Sequence, residues 1–354
     1  VFAAGIEPER IFASAPDGPT TTMCGPRRTT IRSEHDVPTD RGKERTDGPV
    51  SAESLTAMVT PFDESGALDL DAARDLARHL QAHGNDGLVV AGTTGEAPVL
   101  TDDERLALFA AVVEAVTIPV IAGTGTNDTA HSVHMTKEAA RLGAAGILAV
   151  CPYYNRPSQA GIAAHMASIA GASDLPVMVY DIPVRSGRKI TTATLQRLFR
   201  EHSTIVALKD AAGNPGETAS LIASAPDGVE VYSGDDLLTL PLLAVGAVGA
   251  VGVATHWTGE DHQQMLDLWD KGDTVGARLV NARMIESFQF ETGDDAPNPI
   301  PTKAMMRHLG LRVGQARLPM GDAPAFVDER APQVWSNLQR WRESFPLRPD
   351  HAPA

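Results

Sequence analysis

Ile205-Val206-Ala207-Leu208-Lys209-Asp210 sets four aliphatic residues directly against a lysine and an aspartate. An uninterrupted aliphatic run reads as a strand covered on both faces, as in a parallel sheet. A lysine closing such a strand ends where water is scarce, and desolvation lowers an ammonium's pKa. A lysine that releases its proton near neutral pH is a nucleophile towards carbonyl carbon. The plain alternative is a rim lysine whose stem packs and whose head reaches water. The rest of the chain decides between the two.

The run is one of eight. Short apolar runs recur at residues 55–60, 87–91, 119–122, 146–150, 176–180, 205–209, 229–233 and 247–253. Between them, at 70–82, 103–115, 129–142 and 192–201, apolar residues recur at three- and four-residue intervals. Capping residues open these stretches: Asp69, Thr101, Asp128 and Thr191. Eight strands alternating with helices over about 200 residues predict an α/β fold, a (β/α)8 TIM barrel. The rival, a doubly wound sheet, would carry a glycine-rich phosphate loop after its first strand. The nearest candidate, residues 123–128, lacks the third glycine and follows the third run. The barrel is expected over 51–258, followed by C-terminal helices over 259–345 (301–309 and 323–342 among them) and a tail at 346–354. Residues 1–50 hold Pro, Gly, Thr, Arg and Asp without an apolar period and are expected to be a disordered N-terminal extension. With Met23 and Met58 downstream of Val1, that extension is expected to stand outside the working protein.

Forty-five acidic against 30 basic residues give a net charge of −15, which argues against a nucleic-acid partner or an anionic membrane. Cys24 and Cys151 lie far apart without CxxC spacing, so a reducing cytoplasm is expected. No run of 18 apolar residues predicts a membrane span, and the start lacks the basic-then-apolar pattern of a signal peptide. His131 and His134 share a helix face without a third ligand nearby, so they are expected to be solvated helix residues. No metal or organic cofactor is expected.

Active sites of such barrels lie at the C-terminal ends of the strands, so the residues just after each run are the test. Gly92-Thr93-Thr94-Gly95-Glu96 comes after the second run and Pro152-Tyr153-Tyr154-Asn155-Arg156-Pro157 after the fourth. Tyr180-Asp181-Ile182-Pro183-Val184-Arg185 ends the fifth, Lys209-Asp210 the sixth and Ser233-Gly234-Asp235-Asp236 the seventh. A ketone at Lys209 would become a protonated Schiff base, an electron sink that stabilises an α-carbanion as an enamine. Tyr180, Tyr154 and Thr93 are candidates for a proton relay. Gly92 and Gly95, flanking two threonines, suit a carboxylate, and Arg185 suits a second one held bidentately. Each has a plainer reading. Tyr180 would be an interior tyrosine, Thr93 or Thr94 a helix cap, Tyr153-Tyr154 a packing pair, Arg185 a surface ion pair and Asp235-Asp236 caps of the next helix.

Together these motifs resemble the dihydrodipicolinate synthase / N-acetylneuraminate lyase family of class I aldolases. Asn298-Pro299-Ile300-Pro301-Thr302-Lys303 and Arg317-Leu318-Pro319 extend the likeness, which spans roughly residues 55–342. Within the family, Thr93-Thr94 and Arg185 resemble the members that condense pyruvate with aspartate semialdehyde, not the sialic-acid lyases. The resemblance implies that Lys209 forms the Schiff base with pyruvate. Tyr180, Thr93 and Tyr154 would form the relay, with Tyr154 reaching a neighbouring subunit's site in a homotetramer arranged as a dimer of dimers. Thr94 would hold the pyruvate carboxylate and Arg185 that of the semialdehyde, while Val251 would face the lysine through its backbone carbonyl. The alternatives are a pyruvate-dependent aldolase or dehydratase acting on a 2-keto sugar acid, and a barrel without catalysis.

Ala97 and Asp181 stand where serine and asparagine are common in the family. In lysine-inhibited members the positions matching Ala97, Asp102, Arg105 and His131 carry a serine, histidines and a glutamate that bind the inhibitor. Only Asn127 and Tyr153 match. Weak or absent inhibition by lysine is therefore expected.

Overall fold

A computed structural model describes residues 53–344, so the expected N-terminal extension (1–50) and tail (346–354) lie outside the described residues. Eight parallel strands close a barrel in chain order. They are β1 (Ser54–Ala57), β2 (Gly87–Val90), β3 (Val120–Gly123), β4 (Gly146–Val150), β5 (Val177–Asp181), β6 (Ile205–Asp210), β7 (Glu230–Ser233) and β8 (Gly249–Gly252), which pairs back onto β1. The first run is shorter than expected. Residues 58–60 leave the strand, although the Met58 N–H still donates to the Val89 carbonyl at 3.0 Å. Conversely, β6 runs one residue past Lys209 to Asp210.

The strands read as continuous apolar runs because both faces are covered. Leu55, Val89, Ile121, Leu148, Met178 and Val251 fill the barrel interior. Their alternates Leu88, Val120, Ile147 and Val177 pack outward under the helices. One irregularity matters for function. Across β5 and β6, Val177 pairs with Ile205 but Met178 pairs with Ala207, so Val206 is an extra residue, a bulge. Ile205 faces the outer core, whereas Ala207, two residues on, faces the interior. The bulge thus reverses the alternation, and Lys209 points into the barrel.

Helices follow the strands, and all four expected caps are made. Asp69 accepts from the Ala72 N–H and Asp128 from His131. Thr191 accepts from Thr194, and Thr101 forms a reciprocal capping box with Glu104. The C-terminal region forms helices Thr255–Asp270, Thr274–Phe290, Ile300–His308 and Ala325–Ser344. The boundary expected at 258/259 falls inside the first of these, where Thr258 leaves helical geometry (φ −113°, ψ 15°). Among the described residues, no helix is long and apolar enough to cross a membrane.

Candidate active site

Tyr180 and Lys209 are paired across β5 and β6, side by side on the interior face. The Lys209 ammonium lies 4.5 Å from the centre of the Tyr180 ring. Its stem passes Gly234, where a Cβ would come within 2.9 Å of Lys209 Cγ and Cε, so a larger residue there would displace the lysine stem. Lys209 is 4% exposed, and burial pulls its ammonium down to about 8. Asp236 and then Glu291 work against that descent, and Arg185 assists it. Burial likewise pushes the Tyr180 phenol up to about 12, with Arg185 and the Thr93 hydroxyl pulling it back. A phenol with so high a pKa stays protonated and moves a proton only in concert with a neighbour.

A cavity of about 350 Å³ opens at this rim. Gly92, Thr93, Tyr154, Tyr180 and Arg185 line it. Lys209, Thr94, Gly95 and Val251 do not, and stand buried around it. Arg185 is exposed on the one-turn helix Pro183–Ser186 that follows β5. Tyr154 is 89% exposed on a backbone of positive φ (70°), a conformation that carries a steric cost. Val251 places its side chain in the barrel interior from β8.

Several plainer expectations are corrected. Thr93 and Thr94 cap no helix: the next turn, Ala97–Val99, has Glu96 at its cap position and no side-chain cap. Asp235 does cap the following turn, through the Leu237 N–H, but Asp236 does not. Asp236 is buried and accepts from the Val253 and Ala254 N–H groups, both at 2.8 Å, tying the end of β8 to the end of β7. Its other oxygen lies 3.5 Å from His262 Nε2. Burial opposes the ionisation of Asp236 but is outweighed by His262, Glu291 and the Ala254 N–H. Burial and then Asp236 push the Glu291 carboxyl well above the usual carboxylate range. His131 is not simply solvated, because its Nε2 meets Asp102 Oδ1 at 2.8 Å. Arg105 is buried, lines the same cavity as Thr93 and donates to the Gly123 carbonyl.

Residues from the C-terminal region also reach the site. Asn298 donates to Thr94 Oγ1 at 2.8 Å, and Lys303 meets Glu96 at 2.7 Å. Their partners are some 200 residues distant in sequence, so no local pattern reveals these contacts. The only signal was the motif 298–303 itself.

A family model described as the dihydrodipicolinate synthetase family matches residues 50–336. A 4-hydroxy-tetrahydrodipicolinate synthase of Moorella thermoacetica is 48% identical over 270 residues, covering 75% of this chain and 91% of the relative. A crystal structure of DHDPS from Cyanidioschyzon merolae with lysine bound superposes with a TM-score of 0.79 at 41% identity, covering 81% of this chain and 98% of the other. The dihydrodipicolinate synthase from Aquifex aeolicus gives a TM-score of 0.75 at 33% identity, covering 84% and 99%.

Proposed function

This chain belongs to the dihydrodipicolinate synthetase family, and we propose that Lys209 is the residue through which it works. It is a lyase that condenses pyruvate with L-aspartate 4-semialdehyde, the 4-hydroxy-tetrahydrodipicolinate synthase reaction of lysine and diaminopimelate biosynthesis. The observation that carries the assignment of Lys209 is its place. It is a buried amine of lowered basicity beside a buried phenol, at the C-terminal rim of a barrel.

The unprotonated Lys209 amine adds to the pyruvate carbonyl carbon and water leaves, giving an iminium. Loss of a methyl proton gives the enamine, whose carbon attacks the aldehyde of the semialdehyde. The amino group of that substrate then adds to the imine carbon, closes the ring and expels Lys209 as the free amine. Tyr180 and Thr93, adjacent in the structure, move protons at the carbinolamine and the new alkoxide, with Tyr154 linking them to solvent. Thr94 holds the pyruvate carboxylate in the Gly92–Gly95 turn, and the Val251 carbonyl faces the amine. Arg185, exposed at the cavity mouth, takes the carboxylate of the second substrate. The proposal extends to a cytoplasmic homotetramer, a dimer of dimers, supported by an exposed Tyr154 held at a steric cost.

Borohydride with pyruvate is expected to fix one reduced pyruvate per chain on Lys209. Adduct on Lys189 or Lys303 in peptide mapping would overturn the assignment. In the same experiment Arg185→Ala is expected to leave trapping intact and lower kcat/KM for the semialdehyde roughly 10- to 100-fold, the loss of a hydrogen-bonded charge. Equal loss at both steps would make Arg185 structural.

A further inference from the structure

We propose that Asn298 is a positioning residue that fixes Thr94 as a hydrogen-bond donor to the carboxylate of the keto-acid substrate. The proposal rests on the functional reading in which Thr94 meets that carboxylate.

A threonine hydroxyl has one proton and two lone pairs, and left alone it rotates to suit its surroundings. Thr94 is not left alone. It is 3% exposed, and its Oγ1 accepts from Asn298 Nδ2 at 2.8 Å. The Asn298 amide bridges two hydroxyls. Its Oδ1 accepts from the Thr302 hydroxyl at 3.2 Å, and its NH2 end faces Thr94. Thr302 is wholly buried in the first turn of helix Ile300–His308, which places the chain of bonds on a rigid element.

With one lone pair of Thr94 engaged by an N–H donor, its own O–H is left to donate elsewhere. A carboxylate accepts only, so this is the polarity the substrate requires. Two residues on, Glu96 is gripped from the same region. Its Oε1 pairs with Lys303 at 2.7 Å, and its Oε2 accepts from the Arg317 N–H at 2.8 Å. The turn carrying Thr94 is therefore held by the C-terminal region at two points, one of which sets the direction of a proton.

The test is a double-mutant cycle with Asn298→Ala and Thr94→Val, reading the pyruvate KM, kcat and borohydride-trapped adduct on the full chain. Asn298→Ala is expected to raise the pyruvate KM about tenfold, the loss of one hydrogen bond to a charged group, with kcat changed much less. In the Thr94→Val background the same change is expected to have almost no further effect. Equal effects in both backgrounds, with Thr94→Val itself impaired, would overturn the role of Asn298 alone. A Thr94→Val variant with unchanged pyruvate affinity would overturn the placement of the carboxylate, and this proposal with it. If Asn298→Ala does not fold, Asn298→Asp runs the same cycle. Its carboxylate draws the Thr94 proton away from substrate, so it must raise KM more with threonine at 94 than with valine, and an equal rise would overturn the proposal.

Discussion

Lys209 and Lys303 are both buried, and in both burial pulls the ammonium down to about 8. Their partners separate them. Lys303 is paired with Glu96, donates to the Gln315 carbonyl at 2.9 Å and sits over the Phe62 ring, so its protons are committed. Lys209 faces a tyrosine ring, and the carboxyls that act on it are those of Asp236 and Glu291. The amine is nucleophilic only when unprotonated. Adduct formation is therefore expected to rise about tenfold per pH unit below pH 8 and to level off above it. Asp236 and Glu291 hold the Lys209 pKa up. Replacing both (Asp236→Asn with Glu291→Gln) should move the profile to lower pH, as followed by the pH dependence of trapping. Both must go, because Asp236 pushes the Glu291 carboxyl up, and without Asp236 the Glu291 carboxyl would ionise more readily in its place. An unmoved or alkaline-shifted profile would refute this account. At the same scale, the cleft around Arg105 argues against tight binding of lysine. Arg105 lines the cavity as a cation, and Asp102 is exposed and turned to His131. Inhibition by lysine is expected to be weak at millimolar levels, and a titration with a sub-millimolar midpoint would refute it.

Among the elements, the C-terminal helices do more than cover the barrel. Helix Ile300–His308 supplies Lys303 to Glu96, and Arg317, beyond it, donates to both Glu96 and Glu104. Glu96 has positive φ (56°), so its strained turn is held by these partners. Lys303→Met leaves a carboxylate buried without its cation and is expected to cost about 3–5 kcal/mol of stability. The measurement is urea denaturation, with the midpoint lowered and the slope unchanged. Adding Glu96→Gln should restore part of that loss. No recovery in the double variant would mean that Lys303 acts through packing on Phe62 rather than through its charge. The bulge at Val206 is the other decisive element, since it turns Lys209 inward beside Tyr180.

In the whole molecule, one cavity at the rim is lined both by catalytic candidates such as Thr93 and by Arg105. Tyr154 lines this cavity and is largely exposed. If Tyr154 is donated across a subunit contact, mixing Tyr154→Phe with Lys209→Ala should restore activity, because each hybrid dimer contains one complete site. Random exchange would give about a quarter of wild-type activity. No recovery after verified subunit exchange would place Tyr154 in its own chain's site.

Eight aliphatic runs spaced by capped amphipathic stretches were enough to determine the barrel, because strands buried on both faces and helices with one apolar stripe leave distinct local patterns. The rim motifs were legible for the same reason: chemistry in this fold sits just past the end of each strand. Strict alternation, by contrast, would have turned Lys209 outward with Ile205, and only the strand pairing shows the extra residue that reverses it. Asp236 reads locally as a helix cap, yet it is the acceptor that joins β7 to β8. The bonds from Asn298 to Thr94 and from Lys303 to Glu96 unite residues some 200 positions apart. Such contacts depend on how the closed barrel meets its last helices, and burial and partner choice across that distance leave no period in the chain.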